Sequence, residues 1–219
     1  MATRPKKPAP RPAPRLYLLI PAIVDASAFS MQFARALDAG DVAAVLLRLA
    51  ETDERTLINR IKSLAPPVQD KGIALLVDGH PSLVARGGAD GAHLTGVTEF
   101  TEALEILKPE RITGAGGLMS RHDAMVVAEQ GADYVMFGEP DATGKCPALT
   151  ALEERISWWA EVFEIPCVGY AASMETISPL VAAGADFIAL GDALWTDPDT
   201  LAHMIREAGR HLRLPEPTA

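Results

Sequence analysis

Cysteine is scarce in this 219-residue sequence, and long apolar runs are absent from it. The two cysteines, Cys146 and Cys167, match neither a disulfide framework nor the ligand spacing of a zinc site, which favours a reducing cytoplasmic location. No apolar run approaches the roughly 20 residues that a membrane-spanning helix needs, so we expect no membrane partner. Apolar residues make up 48% and charged residues 22% of the chain, as in ordinary soluble globular domains.

The first fifteen residues lack acidic side chains and, after Met1, large apolar ones. They contain five prolines and five lysines or arginines, which predicts a disordered tail over residues 1–15 followed by a single domain over residues 16–215. The tail has no apolar segment typical of a secretory signal. Without its five positive charges, the net charge of −9 becomes about −14 for the remaining chain. So acidic a body would repel nucleic-acid phosphates, and we expect no nucleic-acid partner.

From residue 15 onward, short apolar runs alternate with helical patterns. Each run is too short for a helix and is typical of a parallel strand that is covered on both faces. Eight strands are predicted, over residues 16–20, 42–47, 73–77, 91–94, 111–115, 134–137, 166–170 and 187–190. Helical patterns fill the intervals, for example over residues 28–39, 54–71, 121–130, 149–163 and 198–212. This alternation indicates an α/β fold, and the count of eight indicates a closed parallel sheet, the TIM (β/α)₈ barrel.

A Gly-Ala-Asp phrase recurs immediately before predicted strands. Its copies begin at Gly88, Gly131 and Gly184, and Ala39-Gly40-Asp41 is a looser copy. Each glycine follows a predicted helix, where glycine can adopt the left-handed conformation that ends a helix. The phrase therefore lies on the N-terminal face of the barrel, where sequence signatures serve stability, and we interpret it as structural.

Candidate functional residues come from the opposite face, where barrel enzymes place their active sites. Glycine-rich strand ends there let backbone N–H groups approach an anion closely. Arg48 and Lys145 supply positive charge for a phosphate, and Asp78 can hold Mg²⁺ beside substrate phosphates and water. These residues predict a small phosphorylated ligand.

Structural interpretations of the same residues remain open at this point. Arg48 and Asp78 could simply pair in the mouth of the barrel. His80 and His93 are as compatible with hydrogen-bonded structural roles as with catalysis, whereas Trp158-Trp159 favours core packing or a subunit contact.

Four motifs lie at or near these strand ends. Gly88-Ala89-Asp90-Gly91-Ala92-His93-Leu94 is close to G-A-D-G-V-H-L, Val77-Asp78-Gly79 corresponds to N-D-R, and Val45-Leu46-Leu47-Arg48 to V-Q-L-R. Gly131-Ala132-Asp133-Tyr134, followed by Gly138 and Lys145, is similar to G-A-D-Y…G-P…T-K. On these motifs, residues 16 to 194 resemble the thiamine-phosphate synthase (thiamine-phosphate pyrophosphorylase) family and its thiazole tautomerase relatives.

The resemblance implies a cytoplasmic transferase of thiamine biosynthesis that joins a pyrimidine diphosphate to a thiazole phosphate and releases pyrophosphate. By position, Asp78 would bind Mg²⁺, while Arg48 and Lys145 would be catalytic and hold diphosphate oxygens. The resemblance also suggests a homo-oligomer. The remaining substrate- or phosphate-binding positions that it implies are Gly116, Gly117, Ala171, Ala172, Gly191 and Asp192.

Several positions depart from the family pattern. Leu46 and Ala50 replace a glutamine and a lysine around Arg48, and Gly116 replaces a serine. Val77 and Gly79 flank Asp78 in place of asparagine and arginine, and Val97-Thr98 stands where an acidic pair is expected. The departures keep two alternatives open, an isomerase-type barrel with His80 or His122 as general base and a non-catalytic barrel that binds a small phosphorylated ligand. A further hypothesis is that Glu99 or Glu139 replaces the missing metal carboxylate.

Overall fold

The computed structural model describes residues 12–26, 33–34, 36–191 and 198–212. Eight parallel strands close into a barrel in sequence order, as predicted. The strands are β1 (Arg15–Ile23), β2 (Val42–Leu49), β3 (Ala74–Asp78), β4 (Gly91–Thr95), β5 (Ile112–Gly116), β6 (Tyr134–Phe137), β7 (Cys167–Ala171) and β8 (Phe187–Leu190).

Helices follow the strands on the outside of the barrel. Those with defined bounds are α1 (Glu54–Gln69), α2 (Pro81–Gly87), α3 (Gly96–Leu107), α4 (Arg121–Glu129), α5 (Leu149–Val162), α6 (Ile177–Ala183) and α7 (Pro198–His211), with a 3₁₀ turn (Met174–Thr176) before α6. Residues 33, 34, 36 and 37 are also helical, and the rest of the helix predicted over 28–39 is outside the described residues or in a turn. Within the described ranges, no helix combines the length and apolar character needed to cross a membrane.

The predicted ends of the chain fall largely beyond the description. Of the tail predicted over residues 1–15, only residues 12–15 are described, and Arg15 is already the first residue of β1. Residues 213–215 of the predicted domain lie outside the described residues.

Side chains alternate between the two faces of the strands, as the two-residue period of a strand requires. Tyr17 and Leu19 of β1 cluster with inward residues of other strands, among them Leu46 and Tyr134. Leu18 and its outward neighbours cluster instead with apolar residues of the surrounding helices. The core therefore has two layers, one inside the barrel and one between the barrel and its helices.

The Gly-Ala-Asp phrases are structural, as predicted. Gly88 and Gly184 end their helices with φ of 80° and 102°. The aspartates do more than turn the chain, because Asp90 Oδ2 accepts the N–H of Leu75 at 2.7 Å and Asp133 Oδ2 accepts that of Thr113 at 2.7 Å. Each aspartate thereby caps the start of the preceding strand. Gly40 in the looser copy is not among the glycines with positive φ.

The tryptophan pair on α5 packs as predicted for a structural element. Trp159 is fully buried, donates its Nε1–H to the Ile165 carbonyl at 2.7 Å and stacks on Phe163 with ring centroids 4.1 Å apart. Trp158 is half-buried, with the Arg121 guanidinium 4.7 Å from its ring centroid.

Candidate active site

Arg48 and Asp78 form an ion pair at the barrel mouth, the structural alternative that the sequence left open for them. Leu47 of β2 pairs with Val77 of β3 in the parallel ladder, so the next residue of each strand lies at the same level. Arg48 Nε is 3.2 Å from Asp78 Oδ2, and the two side chains are 26% and 33% exposed. Both groups thus remain within reach of a ligand that enters the mouth.

A hydrogen-bonded chain of side chains crosses the barrel interior beside this pair. The hydroxyl oxygens of Tyr17 and Tyr134 are 2.8 Å apart, and Tyr134 Oη is 2.9 Å from Nδ1 of His93. His93 is only 1% exposed, which explains why its polar atoms need partners within the protein. This chain links β1, β6 and β4.

Glu139 ends the chain at the mouth. Its Oε1 is 3.2 Å from His93 Nε2, and its Oε2 accepts the backbone N–H of Gly117 at 2.8 Å. Gly138, directly after β6, turns the chain toward this position with φ of 97°, a conformation that side-chain-bearing residues rarely adopt. The carboxylate thus joins the ends of β4, β5 and β6.

The protonation states of this group follow from burial and pairing. Burial by itself lowers the pKa of His93, but the Glu139 carboxylate more than reverses this, so the pKa of His93 is raised. Burial by itself raises the pKa of Glu139, but the charge and hydrogen bond of His93 and the Gly117 N–H outweigh it, so that pKa is lowered. Burial raises the pKa of Tyr17 and of Tyr134 well above the usual range. At neutral pH Glu139 is therefore a carboxylate, and both tyrosines keep their protons.

A cavity of about 310 Å³ opens beside Glu139, between the loops that follow β5 and β6. Leu118, Met119, Met136 and Phe137 supply apolar walls. Its size is in the range of small-molecule sites, whose walls are mostly apolar with a few placed polar groups.

Lys145 lies on the edge of this cavity, in an exposed loop. Asp141 shapes the loop, because its Oδ1 accepts the N–H groups of Thr143 and Lys145 at 2.8 and 3.1 Å. Hydrogen bonds from Thr143 and Lys145 also lower the pKa of Asp141. The Lys145 backbone is thus fixed, while its side chain extends from an exposed position.

The predicted phosphate-binding positions are distributed around the mouth. Gly116 is buried at the end of β5, and Gly117 after it donates its N–H to Glu139 rather than standing open to a ligand. Ala171 is buried and accepts the Gly191 N–H at 3.2 Å, whereas Ala172 is exposed. Asp192 lies outside the described residues.

The other candidate metal acids and candidate bases are not assembled into a metal site or a catalytic group. Among the described residues, no group of three or more His, Cys, Asp or Glu side chains is placed to hold a metal ion. Glu99 accepts the Thr95 N–H at 3.1 Å, and Glu139 is engaged as described, so neither is observed as a second metal carboxylate. His80 and His122 are both exposed.

Sequence reasoning missed the tyrosines of the interior chain. The sequence placed Tyr17 in an apolar strand and Tyr134 in a strand and a family motif, with no polar role for either hydroxyl. Their contact joins β1 to β6 across the barrel. Their inward position in the two-residue period is the signal that marks them, but it does not reveal the partner.

Comparison with known proteins finds a matching protein family and relatives that are similar over most of the chain. A family model described as thiamine monophosphate synthase matches residues 16–194. The chain is 41% identical over 202 residues to the thiamine-phosphate synthase of Rhodospirillum centenum, covering 91% of this chain and 98% of that protein. The chain belongs to the thiamine monophosphate synthase family.

Other comparisons agree with this membership. The thiamine-phosphate synthase of Hyphomonas neptunium is 36% identical over 206 residues, covering 90% of this chain and 93% of that protein. The solved thiamine phosphate pyrophosphorylase of Pyrococcus furiosus superposes with a TM-score of 0.72 at 21% identity, covering 90% of this chain and 96% of that one, which supports the fold. The resemblance inferred from the strand-end motifs is confirmed.

Proposed function

We propose that this protein is a thiamine-phosphate synthase that joins a pyrimidine diphosphate to a thiazole phosphate and releases pyrophosphate in the cytoplasm. The observation that carries the proposal is the 41% identity to a thiamine-phosphate synthase across 91% of the chain. The Arg48–Asp78 pair at the strand ends supports it, because it brings a cation for phosphate oxygens next to a carboxylate for a metal.

The reaction breaks one bond and forms one. The C–O bond to the diphosphate breaks with its electron pair leaving on oxygen, and the pyrimidine methylene carbon becomes cationic. The lone pair of the thiazole nitrogen then forms the new C–N bond. No proton needs to be transferred, so the protein's task is to position both substrates and to stabilise charge.

The cationic side chains carry out most of this charge stabilisation. We assign Arg48 and Lys145 to the diphosphate oxygens, from the mouth of the barrel and the edge of the cavity. The thiazole phosphate is assigned to the backbone near Ala171-Ala172 and Gly191-Asp192.

Asp78 is the residue that would hold Mg²⁺, and it would be the only protein carboxylate that we assign to the ion. Mg²⁺ in phosphate sites commonly takes one or two carboxylates together with substrate phosphates and water, so a single aspartate suffices when the diphosphate is bound. The bound ion would neutralise charge on the leaving pyrophosphate. A partly exposed ion pair such as Arg48–Asp78 is worth at most about 1 kcal/mol, so Asp78 can exchange its partner at little cost.

The alternative functions are less well supported. An isomerase with His80 or His122 as base would depend on side chains that are exposed to solvent. A purely binding barrel is favoured only by the departures from the family pattern, whereas the relatives that the chain resembles over most of its length are described as synthases.

Calorimetric titration with pyrophosphate tests the proposal, on wild type and Asp78→Asn, with and without Mg²⁺. We expect metal-dependent binding that Asp78→Asn abolishes, and formation of thiamine phosphate by wild type from the two substrates. Glu129→Gln, which removes one negative charge from an exposed position on α4, serves as the matched control and should bind as wild type does. Absence of pyrophosphate binding together with absence of product would refute the proposal.

A further inference from the structure

Glu139 is a buried negative charge that the synthase assignment leaves without a role. It lies between Gly138 and Pro140, in the strand-six loop where the motif G-P places proline directly after the glycine. Its side chain is 18% exposed and lines the 310 Å³ cavity. Pairing with His93 and the Gly117 N–H offsets the cost of burying this charge, and the carboxylate still borders the cavity.

Gly116, Gly117 and His93 surround the Glu139 carboxylate closely. A Cβ atom on Gly116 would lie 2.0 Å from Glu139 Oε2 and 2.4 Å from His93 Nε2, so the carboxylate occupies the space that a side chain at position 116 would need. Two donors hold it in one place, His93 Nε2 on β4 and the N–H of Gly117 directly after β5. Its position is therefore fixed by β4, β5 and β6 together.

The carboxylate retains capacity to bind a ligand. An ionised carboxylate has two oxygens with about four acceptor sites, and it donates nothing. The contacts with His93 and Gly117 use one site on each oxygen. A ligand in the adjoining cavity can therefore donate further hydrogen bonds to Glu139.

The chemistry of the cavity selects one part of the proposed substrates. Leu118 and the exposed Met119 offer apolar surface to a flat ring, and the Glu139 carboxylate attracts a hydrogen-bond donor. Lys145, on the edge of the same cavity, suits a phosphate. The pyrimidine ring found in thiamine carries an amino group, which is a hydrogen-bond donor. Arg48 at the mouth, in contrast, suits the diphosphate end of the same molecule.

We infer that the Glu139 carboxylate accepts a hydrogen bond from the amino group of the pyrimidine substrate and so determines its specificity in this protein. The inference rests on the proposed synthase function and deepens it. Leu46, which replaces a polar glutamine of the family pattern, lies buried inside the barrel. Leu46 has no hydrogen-bonding group to offer a ring, whereas Glu139 places such a group in the strand-six loop beside the cavity.

The test compares two ligands and three proteins by equilibrium binding. The ligands are the aminopyrimidine methyl diphosphate and the same compound with hydrogen in place of the amino group. The proteins are wild type, Glu139→Gln and the charge-matched control Glu129→Gln. We expect wild type and the control to prefer the amino compound by about 10- to 100-fold, as hydrogen bonds to charged groups do, and Glu139→Gln to lose most of this preference.

Binding of pyrophosphate alone distinguishes a loss of recognition of the pyrimidine amino group from a general disruption of the site. We expect Glu139→Gln to bind pyrophosphate as wild type does, because the diphosphate is assigned to Arg48, Lys145 and Asp78. Equal affinity of wild type for the two pyrimidines would by itself overturn the inference, whatever the variants do. Undiminished preference in Glu139→Gln would also overturn it, and product formation by wild type would show that the synthase function itself stands. Failure of wild type to bind either pyrimidine or to form product would remove both proposals.

Discussion

At the scale of single residues, Tyr134 is the central member of the interior chain. Its hydroxyl contacts both Tyr17 Oη and His93 Nδ1. Tyr17 is the terminal member of the chain, and its hydroxyl contacts Tyr134 Oη. The three side chains are buried, so a missing partner cannot be replaced readily by bulk water.

We expect Tyr134→Phe to destabilise the protein more than Tyr17→Phe does. Tyr134→Phe removes a partner from two buried polar groups, and each such loss costs about 1–3 kcal/mol. Tyr17→Phe removes a partner from Tyr134 alone, which keeps its contact with His93. Urea unfolding followed by circular dichroism measures both differences, and equal losses in the two variants would contradict the described arrangement.

The site shows which residue-level relations the sequence can predict. The Arg48–Asp78 pair was predictable because both residues end neighbouring strands, and neighbouring strands in a parallel barrel end on the same face. The contact of Glu139 with His93 and Gly117 was not, because it depends on how Gly138 turns the chain after β6. The contact between Tyr17 and Tyr134 depends on the stagger of strands across the barrel, which no local pattern records.

At the scale of elements, the strands were predicted more closely than the side chains they carry. β6 and β8 have the predicted bounds, because their apolar runs are flanked by Asp133 and Asp186 before and by Gly138 and Gly191 after. β1 extends to Ile23, three residues beyond its prediction, through Pro21 and Ala22, which do not prolong the run of large apolar side chains. The sequence assigned no bond to the aspartates of the Gly-Ala-Asp phrases. The structure shows that Asp90, Asp133 and Asp186 each accept a backbone N–H of the preceding strand.

These aspartate caps lead to a prediction for β3 and β4. Asp90 Oδ2 accepts both the Leu75 N–H and the side-chain N–H of Gln69, at 2.7 and 3.0 Å. Asp90→Ala removes the acceptor from the backbone of a fully buried strand residue and should cost about 1–3 kcal/mol of stability. Asp90→Asn keeps an acceptor oxygen and should lose clearly less. Urea midpoints of the three proteins decide this, and equal losses in the two variants would show that the charge, not the acceptor, matters.

At the scale of the whole molecule, the two faces of the barrel have separate tasks. Arg15 begins β1 on the N-terminal face, where its Nε is 2.8 Å from Asp41 Oδ1 and its backbone pairs with β8 at Phe187. Arg48, Asp78 and Glu139 all lie at the opposite ends of their strands or just beyond them. Residues 12–14, which lead into β1, therefore join the fold on the face away from the proposed site.

This separation predicts the effect of removing residues 1–11. We expect the shortened chain to keep its melting temperature, because Arg15 and its contacts with Asp41 and β8 are retained. We also expect it to keep its affinity for pyrophosphate in the presence of Mg²⁺, since the proposed ligands of the diphosphate all belong to the barrel. Thermal unfolding and pyrophosphate titration at low and high salt test both expectations. A loss of affinity confined to low salt would instead assign the removed positive charges a long-range electrostatic role, because screening by salt weakens interactions between exposed charges.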